Sequence, residues 1–201
     1  MADKSWKAHE RDFARWVQDE WLKDPEFSVR RNDARLNADN RDKNSDVDVE
    51  HEALSILRKD GRRFKLMRRG ITAECTRQKS GLTMVYKWLD KAKAVVAKKP
   101  TAIVVNGVWL LCDRDDLPYF YSTLVQKATA NPVPANELVT HANIVHIETS
   151  LELTIVKDKL EQSARYGHTK GLFPIVVLRE PKRRQVVAFD LQEVERIIEE
   201  V

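Results

Sequence analysis

The apolar positions of this chain switch repeatedly between a helical period and a strand period. Residues 5–23 carry Trp6, Phe13, Trp16, Val17 and Leu22 roughly on one face, with Lys7, Glu10, Arg11 and Asp19 around the rest. That spacing predicts an amphipathic helix with Ser5 as its N-cap. His9 and Glu10 fall at the edge of the apolar face. Residues 24–44 have almost no apolar content after Leu36 and read as a polar loop, which at that length is either functional or disordered. In the stretch Ser45 to His51, Asp46-Val47-Asp48-Val49 alternates. A period of two puts both aspartates on one face of a strand and both valines on the other.

Two strands follow, Ala53–Lys59 and Arg62–Met67, around a hairpin turn at Asp60-Gly61. Gly70 reads as a bulge. The strand Ile71–Thr76 contains Glu74, and a polar corner, Arg77–Gly81, leads into a helix with Leu82, Val85, Tyr86, Leu89 and Val96 at helical spacing. Pro100 ends it. Apolar runs 101–105 and 108–112 flank Asn106-Gly107, a strong hairpin signal. A helix is expected from about Leu117 to Ala128, and Asn131–Pro134 breaks the chain. The strand 143–150, a helix Leu153–Tyr166, the strand 173–178, a basic turn Pro181–Arg184, the strand Gln185–Leu191 and a last helix 192–200 complete the reading.

This alternation predicts an α/β fold with a mixed sheet flanked by helices. Strand with terminal acid, helix, strand, hairpin, strand and helix occur in that order twice, with Glu74-Cys75-Thr76 and Glu148-Thr149-Ser150 at equivalent points. An internal duplication and the ordinary grammar of an α/β domain both account for it. The expected division is a core of residues 1–130 and a second α/β half, 131–201, packed on or extending the same sheet.

Charge sharpens the picture. The chain of 201 residues has 35 Lys and Arg against 31 Asp and Glu, a net charge of +4. Lys59, Arg62, Arg63, Lys65, Arg68 and Arg69 crowd along the first hairpin, and Arg77 and Lys79 follow Glu74. Such a run forms either a phosphate-facing rim or a solvated face. Arg30 and Arg31, in the polar loop, raise the same alternatives. Cys75 and Cys112 have no Cys/His spacing suited to zinc and read as free thiols of a reducing compartment. The N-terminus is too polar for a signal peptide, and no apolar run approaches membrane-spanning length. The expected location is the cytoplasm, without membrane partners.

An acid inside an apolar strand is costly unless paired or coordinated. Glu74 either pairs with Arg77 or Lys79 or holds a metal ion. Two carboxylates on one strand face repel unless the site is wet or a cation lies between them. Asp46 and Asp48 are therefore candidate ligands for a hard divalent ion, or a solvated acidic face.

Several segments, taken in order, resemble phage- and plasmid-encoded Holliday-junction-resolvase-like proteins of the restriction-endonuclease-like PD-(D/E)-x-K superfamily. They are Ser5–Arg11, Ser45–Glu52 with Leu54–Ile56, Glu74–Lys79 with Tyr86–Leu89, and Lys159–Ala164 through Pro174–Glu180. The resemblance implies a metal-dependent endonuclease acting on branched or duplex DNA, with Mg²⁺ or Mn²⁺ as cofactor and a homodimer as the assembly. It implies Asp46, Asp48 and Glu74 as metal ligands, with Glu148 the alternative second acid. Asp48, Glu74, Lys79 and Glu10 become the catalytic group. Arg30, Arg31, Arg62, Arg63, Lys65, Arg68, Arg69 and Arg77 become the DNA grip. The family's lysine position is Thr76 here, or Ser150 after Glu148, and a hydroxyl cannot supply that charge. Lys79, Arg77 or Lys59 would replace it. Otherwise the chain is a silent DNA-binding or structural protein on the same fold.

Overall fold

Valine- and isoleucine-rich runs form the strands of one eight-stranded sheet in the computed structural model, which describes residues 5–31, 46–60, 62–96, 98–127 and 135–199. In chain order the elements begin with α1 (Ser5–Trp16), extended by a π-helical turn Val17–Leu22, then β1 (Arg30–Arg31) and β2 (Val47–Glu50). Next come β3 (Ile56–Asp60), β4 (Arg63–Arg68), β5 (Gly70–Arg77), α2 (Thr83–Val95), β6 (Thr101–Val105) and β7 (Trp109–Asp113). The chain continues through α3 (Leu117–Phe120, extended by Tyr121–Gln126), α4 (Ala135–His141), β8 (Asn143–Ile147) and α5 (Thr154–Lys170). It closes with β9 (Phe173–Arg179), β10 (Val186–Asp190) and α6 (Leu191–Glu199).

The sheet order is β1-β2-β5-β9-β10-β7-β6-β8. β5 pairs with β9 and β6 with β8 in parallel, and the other neighbours are antiparallel. The sheet is thus mixed and open, as the alternation of elements predicts. The two expected halves interleave: β9 and β10 from the C-terminal segment lie between β5 and β7. The two strands at equivalent points of the repeated pattern also differ in place. β5 is interior, and β8 is an edge.

Strand alternation divides the core between two faces. Phe13, Val47, Ile71, Ala73 and Phe173 pack on one side with α1, α3 and α6. Leu82, Val85, Leu89, Leu160 and Val176 pack on the other with α2 and α5. Each fully buried large apolar side chain of this kind contributes roughly 1.5–3 kcal/mol.

Three local expectations change. β1 is a short edge strand inside the expected loop, whose residues 32–45 lie outside the described part. α5 runs past Tyr166 to Lys170 and ends at Gly171, whose φ of 66° makes it a left-handed cap. Gly70 is not a bulge, because it pairs in register with Glu50. A Cβ there would lie 1.8 Å from the carbonyl oxygen of Val49, so the close approach of β2 and β5 requires glycine. The register shift lies instead between Ile56 and Leu57 in the separate two-stranded ribbon β3–β4.

Candidate functional site

The aspartate-valine alternation and the antiparallel register of β2 and β5 bring the carboxylates together. Val47 opposes Ala73 and Asp48 opposes Thr72. One further step along that register sets Asp46 against Glu74. Asp46 Oδ2 accepts a hydrogen bond from the Cys75 amide at 2.8 Å. Asp48 Oδ1 accepts from the Thr72 hydroxyl at 2.6 Å. Glu74 is buried on the α5 side of β5, and its Oε1 is buried without a hydrogen bond.

Helix α5 supplies the basic groups. Lys159, Ser163, Gly167 and Lys170 recur at helical spacing and share a face. The Ser163 hydroxyl lies 3.1 Å from the Thr72 carbonyl and 2.9 Å from the Ile175 carbonyl, fixing the helix across β5 and β9. Gly167 lets it sit close: a Cβ there would be 2.6 Å from the Leu172 carbonyl oxygen and 3.1 Å from Thr72 Cγ2. With the helix so placed, Lys159 Nζ lies 3.5 Å from Glu74 Oε2. Lys170 Nζ lies 2.5 Å from Asp48 Oδ2.

Burial raises the Glu74 carboxyl to about 8, and the Asp46 charge adds to the rise while Lys159 opposes it. Burial also raises Asp46, against the Cys75 amide and Lys159. Two adjacent carboxylates that both resist ionisation, beside one cation, form a site short of positive charge. The Cys75 thiol is pushed well up by burial and by the nearby acids Asp46, Glu10 and Glu74, which favours its protonated form.

Several expectations need correction. The basic neighbour of Glu74 is Lys159; Lys79 is exposed in the bend after β5. Thr76 is buried and accepts a hydrogen bond from Gln78 at 3.1 Å. Glu10 is buried on α1, which packs on the opposite face of the sheet from Glu74, next to the odd-numbered side chains of β5. Glu148 is exposed just past the end of β8. β8 is five strands from β5, or roughly 24 Å at the usual spacing between strands, so the structure does not bring Glu148 to Asp46 and Glu74. Arg68 is buried, donating to the Leu172 carbonyl at 3.0 Å and pairing with buried Glu193 at 2.8 Å. Its guanidinium is engaged inside the fold, unlike the exposed basic side chains around it.

Arg62, Arg63, Lys65 and Arg69 are exposed along β4 and its flanks, as is Arg77 at the end of β5. Arg31 is half-buried, and the side chain of Arg30 lies outside the described part. His9 is buried within reach of the Val177 carbonyl and Gln185, and burial lowers its pKa. That makes it a core group. The missed lysines left a signal, the Lys-x₃-Ser-x₃-Gly-x₂-Lys spacing of α5, in which small residues between two lysines mark a helix face that packs closely.

The donor chemistry fits a hard divalent ion. Asp46 and Glu74 offer oxygen ligands, and one or two carboxylates plus substrate phosphates is the usual protein share of a magnesium site. Among the described residues no group of three or more His, Cys, Asp or Glu side chains gathers in metal-binding geometry. Among them, too, no helix is long and apolar enough to cross a membrane. Compared with family models, curated proteins and solved structures, the chain matches none.

Proposed function

We propose that the chain is a metal-dependent DNA endonuclease acting on branched DNA, with Asp46 and Glu74 holding Mg²⁺ or Mn²⁺. The observation that carries this reading is the buried Glu74 carboxylate. One of its oxygens has no hydrogen bond, and Asp46 and Lys159 stand beside it. A bound ion would polarise the phosphoryl oxygen and promote attack by water. Lys159, one-third exposed, would place its ammonium against the scissile phosphate and neutralise the charge that develops there. Asp48, tied to Thr72 and Lys170, would hold the floor of the site and add negative field at Glu74. This reading keeps the resemblance to the PD-(D/E)-x-K nucleases but moves the lysine from the strand to α5. Two symmetric cuts in a junction would require a homodimer.

The test is cleavage of a labelled four-way DNA junction with Mg²⁺ or Mn²⁺. Metal-dependent cutting by the wild type should disappear in Asp46→Asn and Glu74→Gln. Cutting that persists in Glu74→Gln rejects the assignment.

A second reading has its own observation, the 2.5 Å pair of Lys170 with Asp48. On that reading lysines neutralise the acids permanently, and the chain binds DNA without cutting it. Salt-sensitive junction binding with no cutting in either metal would select it.

A further inference from the structure

The ribbon β3–β4 stands apart from the main sheet and carries two unlike faces. Leu57 pairs with Leu66, and Phe64 lies two positions from Leu66 on the same face. Phe64 is 63% exposed, and Leu57 and Leu66 are 43% and 39% exposed. Arg63 and Lys65 alternate onto the other face, and Arg62 and Arg69 flank the strand. A groove of about 560 Å³ at the ribbon's base is lined by Leu57, Leu66 and Arg69 with Glu50, His51 and Glu52. An exposed phenylalanine needs a reason when it sits on a hairpin beside further apolar surface.

We propose that Phe64 is a stacking wedge that binds DNA where its base stack is interrupted, at a gap or a branch point. The inference rests on the proposed function only in taking DNA as the ligand. Charge selects the occupant. Arg62 and Arg69 flank the aromatic strand, and together with Arg63 and Lys65 on its reverse they outnumber the groove's Glu50 and Glu52, a balance that suits a polyanion with flat apolar faces. Position agrees: β4 runs through Arg69 directly into Gly70, the first residue of β5, and Glu74 is four residues on. Phe64 itself stands ten residues before Glu74, at most roughly 33 Å along an extended chain, or about ten base pairs of duplex at 3.4 Å each. A strand with its phosphate at Lys159 therefore reaches Phe64 within about one turn of duplex. Arg63 and Lys65 hold its backbone, while Phe64 occupies the space of a missing or splayed neighbour. Continuous duplex, with every step stacked, gives the ring no such place.

The experiment measures affinity in EDTA for a gapped duplex, a four-way junction and a continuous duplex, each with 2-aminopurine at or opposite the interruption. Phe64→Ala should weaken binding to the gapped and branched probes by roughly 5- to 150-fold, the effect of losing one base–aromatic stack. It should change continuous-duplex binding less than about 2-fold and abolish quenching of the 2-aminopurine. Phe64→Trp should restore both. Equal affinity of wild type and Phe64→Ala for the interrupted probes overturns the wedge. So does sedimentation showing that Phe64→Ala only converts a dimer to a monomer, or a loss confined to binding of anionic phosphatidylserine vesicles. Because no metal is present, stacking is read independently of cleavage. A wild type that shows the stacking signature but never cuts retains the wedge and loses the nuclease.

Discussion

Lys159 Nζ lies 3.5 Å from Glu74 Oε2, so a lysine carried by helix α5 is the cation that stands beside this buried carboxylate. The prediction is that Lys159→Met lowers the single-turnover cleavage rate by about 10²- to 10³-fold, the effect of removing one charge-stabilising donor. Lys79→Ala, at an exposed bend, should stay within a few-fold of wild type. Cleavage of a labelled junction, with far-ultraviolet circular dichroism as the folding control, checks both. The reverse ranking would return the role to Lys79.

Glu74 makes stability depend on pH in the less usual direction. Its carboxyl is raised from 4.5 to about 8 in the folded chain, so the native state holds the proton more tightly than the unfolded one. The stability it contributes is fully present below 4.5 and is lost as pH rises through about 8. Glu74→Gln keeps the shape and removes the titration. The variant should therefore gain on the wild type between pH 5 and pH 9, read from urea midpoints without metal. An advantage that shrinks as pH rises would contradict the assignment. Binding of Mg²⁺ to the wild type should release a proton in the same window, so apparent affinity should climb toward pH 8.

The strand half of the site was legible because alternation is local. Asp46-Val47-Asp48-Val49 reports its own faces, and Glu74 stands out in an apolar run. The Asn106-Gly107 turn likewise joins the β6 and β7 strands that it predicts. The helix half was not legible. Lys170 and Asp48 meet across 122 residues, and no local pattern encodes which strand α5 will cross. Glu148 misled for the same reason. Its surroundings repeat those of Glu74, but strand order is set by crossovers, and β8 ends at the far edge. Arg68 was read with its basic neighbours because nothing in a run of six marks the one that turns inward to Glu193.

Arg68 and Arg63 should separate stability from binding. Arg68→Ala strands buried Glu193, although His168 and Arg196 also contact that carboxylate. The expected loss is about 2–4 kcal/mol of unfolding free energy, somewhat under the usual figure for breaking a buried pair. Affinity of the remaining folded protein for DNA should be unchanged. Arg63→Ala should leave stability within about 0.5 kcal/mol, as exposed substitutions do. It should weaken DNA binding at low salt and reduce the salt slope by about one. Urea unfolding and a salt titration of binding distinguish the two. An Arg68→Ala protein of normal stability that has lost DNA affinity would restore Arg68 to the rim.

Gly167 couples packing to chemistry. Its absent side chain leaves room for the Leu172 carbonyl and for Thr72, which donates to Asp48. Gly167→Ala must push α5 away from the Leu172 carbonyl at the entry to β9, because a Cβ at 2.6 Å from a backbone oxygen cannot be accommodated by a side-chain rotation. Overpacking of this kind costs about 1–3 kcal/mol. The helix carries Lys159 and Lys170 with it, and a 1 Å misplacement can cost roughly 10²-fold in rate. Gly107→Ala is the matched control. It sits in the β6–β7 turn at φ 69° with nothing within 4 Å of the added Cβ, so its cost is backbone strain of about 1 kcal/mol far from the acids. Cleavage by Gly167→Ala should fall well beyond its loss of stability, whereas Gly107→Ala should lose stability and keep its rate. Equal rates for the two variants, measured well below both unfolding midpoints, would mean that the seating of α5 does not position the lysines.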